Sequence, residues 1–362
     1  MDYAVIMAGG SGKRLWPLSR RERPKQVLKL FGGKTLLESC FERLAPLFDP
    51  SRIFVLTNKA YVDLVRENLQ GLPAENVVAE PAVRDTAGAV GLGATILSKL
   101  DPDATMAVVT ADQVIRPASV FQQAMKEALG FVNQYPDRLV TFGIKPTFAA
   151  TQYGYIKCAV DRASTFGSAQ IFPVEAFKEK PDEVTAQAYL REGLYDWNSG
   201  MFVWKAKTIL AHIRDLLPEA VKPLERIKRA WGTPEQETVF TECFARLPRI
   251  SVDYAVMEKA SEVYAIRLAC DWLDMGSFSA LADIVTCDEY QNTVVAQTKA
   301  FLDCEDNIIV TEQSGHLIAA IGLKNMVVAH SPDATLICPM NEIHRLKELL
   351  EKIEQAGQDG YL

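Results

Sequence analysis

Ala4-Val5-Ile6-Met7-Ala8-Gly9-Gly10-Ser11-Gly12-Lys13-Arg14 is the stretch on which the fold turns. An apolar run of five residues ending in glycines reads as a buried parallel strand that hands the chain to a turn. The turn is not a Walker A loop, because Met7 stands where that motif needs Gly and Arg14 where it needs Ser or Thr. Nor is it the dinucleotide fingerprint, since Gly10 and Gly12 are followed by Leu15 rather than a third Gly. The physics of anion binding survives both exclusions: glycines let backbone N–H groups face phosphate oxygens without side-chain obstruction. Charge points the same way. Lys13, Arg14, Arg20, Arg21, Arg23 and Lys25 place six cations within thirteen residues, against Glu22 alone, a cluster that a triphosphate would satisfy.

Outward from this loop the chain alternates. Leu36–Leu47 is helix-like, Arg52–Thr57 strand-like, Tyr61–Leu69 helical, Asn76–Ala79 a strand and Thr86–Leu100 a helix rich in Ala and Leu. The strand Met106–Thr110, the helix Val120–Gln134 and the strand Leu139–Gly143 follow. Such alternation predicts a doubly wound, Rossmann-like α/β fold, whose ligands sit at the carboxyl ends of the strands. Beyond residue 150 the pattern is mixed, with strands around 153–160, 169–177 and 200–204 and helices at 206–215 and 235–244. From about residue 290, Asn307–Thr311, Leu317–Ile321, Asn325–Ala329 and Thr335–Cys338 are short strands at a spacing of roughly 8–10 residues, which fits a small β appendage. Asn341–Gln355 reads as a charged amphipathic helix.

Composition bounds the function. The chain has 362 residues, 48% hydrophobic and 23% charged, with net charge −7, so no basic domain invites nucleic acid. The run Ala4–Ala8 is too short for a signal peptide or a membrane span. Seven cysteines, spread widely along the chain and forming no C-x-x-C pair, suit reduced thiols in a cytoplasmic protein. Histidines 212, 316, 330 and 344 lack ligand spacing, which argues against zinc.

The run Gly9-Gly10-Ser11-Gly12-Lys13-Arg14-Leu15-Trp16-Pro17-Leu18-Ser19-Arg20, with Pro24-Lys25-Gln26 after it, resembles the signature of the nucleotide-sugar pyrophosphorylases. Within them it is most similar to the guanylyltransferases that act on mannose 1-phosphate. The resemblance covers residues 1 to about 340. It implies a nucleotidyltransferase domain over 1–288 with a mixed sheet, a short β-helix domain over 289–362 ending in a helix, and no fused isomerase domain. It also implies GTP and α-D-mannose 1-phosphate as substrates, GDP-mannose and pyrophosphate as products, Mg²⁺ as cofactor, and allows a homodimer.

Site residues are carried over position by position. Ala8, Gly9, Gly10, Ser11, Gly12 and Lys13 are expected around the nucleotide, with Arg14 and Lys25 on the triphosphate. Asp112 follows the strand Met106–Thr110, and Asp274 lies in an aromatic-flanked turn far along the chain. Two hard carboxylates suit Mg²⁺ completed by substrate phosphates, but only the resemblance says that these two meet. Where the family carries Pro-Ala-Asp-His, this chain has Thr110-Ala111-Asp112-Gln113. Tyr153, Gly154, Glu179, Asn198 and Ser199 are expected at the sugar, Lys180 on its phosphate, and Asp253 and Glu258 in a segment closing that pocket. Glu80 could accept both N1–H and the exocyclic amine of guanine, a donor pair that adenine lacks. Arg84, Thr86 and Ala87 follow it, with Asp85 where the family has Asn.

Three other readings stay open. A sister enzyme could use another base or sugar; Glu80, Ser19-Arg20 and Pro24-Lys25-Gln26 favour GTP and mannose. A non-catalytic regulatory subunit should lack Lys25, Asp112, Lys180 or Asp274, and all four are present. A dehydrogenase is the least favoured, since the fingerprint and the acidic residue following it are missing.

Overall fold

In the computed structural model, residues 1–10, 12–30, 33–282 and 285–362 are described. Ser11, assigned above to the nucleotide loop, lies outside them. The strands of the larger part are β1 (Asp2–Met7), β2 (Ile53–Asn58), β3 (Val77–Glu80), β4 (Thr105–Thr110), β5 (Gln113–Arg116), β6 (Leu139–Ile144), β7 (Gly154–Cys158), β8 (Ser164–Phe166), β9 (Ala169–Lys178), β10 (Tyr195–Lys205), β11 (Val263–Leu268) and β12 (Asp271–Asp274). Its helices are α1 (Leu36–Leu44), α2 (Val62–Asn68), α3 (Asp85–Leu100), α4 (Ala118–Gln134), α5 (Glu183–Glu192), α6 (Ala206–Leu216), α7 (Val221–Ala230), α8 (Gln236–Phe244) and α9 (Ser279–Ala282).

The main sheet runs β3-β2-β1-β4-β10-β6-β11-β9-β7, with β8 against β9 and β7 also paired to β10. β1, β2, β3 and β4 are mutually parallel, whereas β10 is antiparallel to both β4 and β6. Side chains alternate across β1. Ala4 and Ile6 join the cluster of Leu37, Cys40, Phe121 and Met125 on one face. Val5 joins Val90, Ile96, Ile209 and Leu224 on the other. The result is a doubly wound mixed sheet with helices on both faces, in line with the predicted class.

Three helices escaped the sequence reading, α5, α7 and the four-residue α9. Pro223 in the first turn of α7 disguises it, although proline is tolerated there because that N–H has no intrahelical partner. Asp182 caps α5 by accepting from Thr185 N at 2.8 Å, and Gly193 ends it at φ +72°. The opposite case is α1, whose Thr35 and Glu38 form a reciprocal capping box that starts it where its apolar pattern begins.

The C-terminal part carries β13 (Thr293–Val295), β14 (Thr298–Leu302), β15 (Ile308–Thr311), β16 (Leu317–Ile321), β17 (Met326–His330), β18 (Thr335–Pro339) and α10 (Leu346–Gln355). β13, β15 and β17 stack in parallel, as do β14 and β16, which is the rung pattern of a β-helix. β18 closes the stack antiparallel to β17. The charged segment read as one helix is split: a 3₁₀ stretch, Met340–Arg345, precedes α10. Ile308, Val310, Val327, Ala329, Leu336 and Leu346 share one apolar cluster with Leu15, Trp16, Leu18, Leu28 and Met275. The β-helix therefore supports the glycine-rich loop from behind. No helix among the described residues is long and apolar enough to cross a membrane.

Candidate active site

The register of β1 against β4 places Met7 beside Thr110, so the glycine-rich loop and Asp112 emerge together at the strand ends. β5 then pairs antiparallel with β12, setting Asp274 opposite Gln113, and Met275 N donates to the Asp112 carbonyl at 3.1 Å. This short ladder brings together two carboxylates that lie far apart in the sequence. Lys25 Nζ lies 2.6 Å from Asp112 Oδ2 and 3.7 Å from Asp274 Oδ1, and donates to the Met275 carbonyl at 3.1 Å. Gly12, at φ +67°, lies flat on the Lys25 stem: a Cβ there would come within 2.6 Å of Lys25 Cβ. Any larger residue would push the lysine away from the carboxylates.

Burial opposes the Lys25 charge, yet Asp112 and then Asp274 hold it above the ordinary lysine value. Burial likewise works against the charge on Asp112, but Lys25 pulls its carboxyl below the usual range. Asp274 is pushed up, first by burial and then by Asp112. Lys25 and then Arg14 offset this only in part. Among the described residues no cage of three or more His, Cys, Asp or Glu forms. A pair of hard oxygen donors with substrate phosphates to complete the shell fits Mg²⁺.

The cation cluster divides. Arg20 pairs with Asp333 at 2.6 Å, Arg21 with Glu354 at 2.6 Å and Asp359 at 3.4 Å, and Arg23 with Glu312 at 2.7 Å. These three tie the loop to the C-terminal part, and their charges already have partners in the protein. Trp16 Nε1 adds a hydrogen bond to the Tyr361 carbonyl at 2.5 Å. Lys13 and Arg14, for which no such pairing to the C-terminal part is found among the described residues, line a cavity of about 1200 Å³ with Tyr153, Lys180, Asp274 and Lys347, and Arg20 and Arg21 lie on its wall. Arg14 passes Gly276 beside Asp274; a Cβ on Gly276 would lie 3.4 Å from its guanidinium and 3.5 Å from Asp274 Oδ2.

On the other side of the loop, Glu80 ends β3. A Cβ on Gly9 would lie 3.1 Å from Glu80 Oε2, so the carboxylate rests on the loop backbone. Burial pushes it up to about 7. Ala8 donates to the Leu56 carbonyl at 2.8 Å and ends the strand there. Gly10 accepts from Gln26 Nε2 at 2.8 Å. Arg84 donates to the Ala245 carbonyl, Thr86 Oγ1 accepts from Val252 N at 2.9 Å, and Ala87 N donates to the Ile250 carbonyl at 3.1 Å. These three fasten α3 to the 245–252 segment. Asp85 sits at φ +60° and accepts from Thr86 N at 2.7 Å. Asn and Asp are the residues that tolerate this left-handed conformation best, which accounts for the exchange.

The residues expected at the sugar do converge. Gly154 is a point of close approach, since a Cβ there would meet Glu179 Oε2 at 2.4 Å and Asn198 Cβ at 3.3 Å. Glu179 Oε1 accepts from Lys180 Nζ at 2.7 Å, and Glu258 Oε1 accepts from Glu179 N at 2.9 Å. Asn198 Nδ2 donates to Asp253 Oδ1 at 2.9 Å while its Oδ1 accepts from Thr141 at 2.8 Å. Burial, helped by the charge of Glu179, pushes Asp253 up to about 7. Tyr153 packs edge-on to Trp197 and to Trp272, both at 5.1 Å. The sequence reading missed Thr141, the Trp197–Trp272 wall and the loop-tying arginines. Only three-dimensional register reveals them.

Comparison with known proteins finds relatives over nearly the whole chain. A family model described as nucleotidyl transferase matches residues 3–291, and one described as a MannoseP isomerase/GMP-like beta-helix domain matches 298–353. The xanthan biosynthesis protein XanB of Xanthomonas campestris pv. campestris is 37% identical over 360 residues, covering 98% of this chain and 73% of that one. A mannose-1-phosphate guanylyltransferase of Salmonella muenchen is 37% identical over 365 residues, covering 99% and 74%. A solved structure from Thermus thermophilus, described as a mannose-1-phosphate geranyltransferase, superposes with TM-score 0.86 at 34% identity, covering 98% of this chain and 99% of that one.

Proposed function

This chain belongs to the nucleotidyl transferase family, and from that membership we propose that it transfers GMP from GTP to α-D-mannose 1-phosphate, forming GDP-mannose and pyrophosphate. The observation that carries the reading is the meeting of Asp112 and Asp274 at Lys25, beside a glycine-rich loop at the strand ends. The sugar-phosphate oxygen attacks the α-phosphorus in line, its P–O bond forms as the bond to pyrophosphate breaks, and the electron pair leaves with pyrophosphate. The attacking oxygen is already anionic, so no general base is required. That agrees with a site built from Lys, Arg and carboxylates. Nucleotidyltransferases of this type generally use a divalent metal; we assign Mg²⁺ to Asp112 and Asp274. Bound there, it supplies charge neutralisation at the phosphates.

Arg14 and Lys25 are assigned to the triphosphate and Lys180 to the sugar phosphate, where positioning and fixed charge lower the barrier. Glu179 and Asn198 are assigned to the sugar hydroxyls, with Gly154 leaving room for them. Ala8, Gly9, Gly10 and Lys13 are assigned to the nucleotide. The seven free cysteines support a cytoplasmic location.

Pyrophosphate release is measured with Mg²⁺, each of four NTPs and a panel of sugar 1-phosphates. Release with GTP and mannose 1-phosphate above all other pairs is expected. Release chiefly with another pair would make it a sister enzyme, and none with any pair a regulatory subunit.

Glu80 supplies a pH test. Its carboxyl is pushed up to about 7 by burial, and only the ionised form can accept both guanine donors. The acid form dominates below pH 7 and the carboxylate above it, so GTP binding strengthens as pH rises. KM for GTP is expected to fall about tenfold between pH 6 and pH 8, following the ionised fraction. Glu80→Gln should raise KM and flatten this profile. An equally steep profile in the variant would remove Glu80 from base recognition.

A further inference from the structure

We infer that Gln113 is a positioning residue that locks the metal-binding carboxylates to the sugar pocket. The inference rests on the guanylyltransferase reading above and adds a residue to it. Gln113 is 4% exposed and is the first residue of β5. Its own neighbour in the chain is Asp112, and its ladder partner across β5–β12 is Asp274. Its side chain leaves this ladder and reaches β10, where Nε2 donates to the Ser199 carbonyl at 2.5 Å.

That carbonyl needs a partner for a reason of topology. β10 pairs with β6 through Asn198 and again through Phe202, and between them the register shifts in a bulge, with Gly200 at φ +70°. A bulge leaves main-chain groups outside the ladder and re-aims the neighbouring side chains. Here it aims Asn198 at Asp253 and Gly154. Ser199 is buried, so its carbonyl would be left without water or ladder partner if the Gln113 amide were removed. The amide therefore holds the bulge, and the bulge holds Asn198.

The same residue is anchored from below. The Gln113 carbonyl accepts from both terminal nitrogens of the buried Arg43 at 3.4 and 3.5 Å, and that guanidinium lies 5.2 Å over the Phe121 ring. Main chain and side chain of Gln113 are thus pinned to different elements, α1 on one side and β10 on the other. Displacement at either end moves Asp112 relative to Asn198. Gln113 Oε1 has no partner among the described residues, so the amide N–H is the part that does the positioning. An imidazole N–H can make the same donation, which explains why Gln can stand where the resemblance expects His.

The test uses steady-state kinetics on the full chain. Gln113→Met keeps length and volume but removes the donor. Both kcat and the sugar-phosphate affinity should suffer, because a shift of about 1 Å in a reacting group costs roughly 10²-fold. We expect kcat to fall at least ~10-fold and KM for mannose 1-phosphate to rise ~10-fold, with KM for GTP within about two-fold, since Gly9 and Glu80 do not touch Gln113. Gln113→His restores a donor and should return both constants to within about three-fold of the original. Gln113→Asn draws the amide back by one methylene and should behave like Gln113→Met, and replaces it if that variant does not fold. An unchanged kcat and sugar KM in the folded donor-less variant, or equal changes in the two substrates' KM values, would overturn the proposal. Turnover by the unaltered protein tests the guanylyltransferase reading separately.

Discussion

Asp112→Ala is expected to lower kcat by ~10²-fold or more, the range seen when a fixed electrostatic stabiliser is lost. Two effects add. One carboxylate of the pair proposed to hold the metal disappears, and Lys25, 2.6 Å away, loses its nearer anionic partner in a buried setting. Lys25→Ala should fall in the same range by a different route. It leaves Asp112 and Asp274 facing each other without the cation between them, so the pair binds protons more readily. The direction follows from the present balance: Lys25 now holds Asp112 below the ordinary carboxylate range. Removing it raises that value, and the variant's activity should decline at a higher pH on the acid side than the original's. Asp274→Asn is the milder comparison, because Lys25 keeps Asp112 as partner. Initial rates of pyrophosphate release at saturating substrates, across pH 5 to 9, separate these cases. Near-normal turnover in Asp112→Ala and Lys25→Ala together would sink the assignment.

How far such a site can be read from sequence depends on whether its parts are local. The glycine-rich loop is contiguous, and its glycines and cations sit at fixed offsets, so Gly12 and Lys25 are legible without knowledge of their contact. Asp112 is legible as a strand-end carboxylate. Its meeting with Asp274 is not, because the ladder of β5 with β12 uses four-residue strands with no periodicity to announce them. The cation cluster shows the reverse error. Six positive charges in close succession suggest one anionic ligand, yet Arg20, Arg21 and Arg23 find their partners near the opposite end of the chain. Charge density in a sequence reports that counter-charge is needed, and not whether a ligand or the protein supplies it. β14 shows why the β-helix is only partly legible. Its five residues are mostly exposed and its pairing with β16 rests on main-chain bonds, which leave no hydrophobic alternation to read.

The partners of those arginines give the C-terminal part a role that can be tested far from the carboxylates. Val310 is fully buried in β15, within the cluster that also contains Leu15, Trp16, Leu18 and Met275. A charge at that position has no partner, and an unpaired buried charge costs several kcal/mol. Domains are stable by only about 5–15 kcal/mol. Val310→Asp is therefore expected to lower the melting temperature sharply and to abolish turnover at 37 °C, although Val310 touches no substrate. Ile321, in β16, the next strand along the chain, is the control. It is 79% exposed, and Ile321→Asp should leave melting temperature and kcat nearly unchanged. The two substitutions insert the same charge into the same β-helix and differ in whether that position backs the glycine-rich loop. A Val310→Asp protein that melts early in the β-helix while keeping normal turnover would mean that the loop holds its shape without that support. The ion pairs of Arg20, Arg21 and Arg23 would then be accessory contacts at the surface of an autonomous catalytic part. If turnover is lost together with the β-helix, the loop depends on the apolar cluster that backs it.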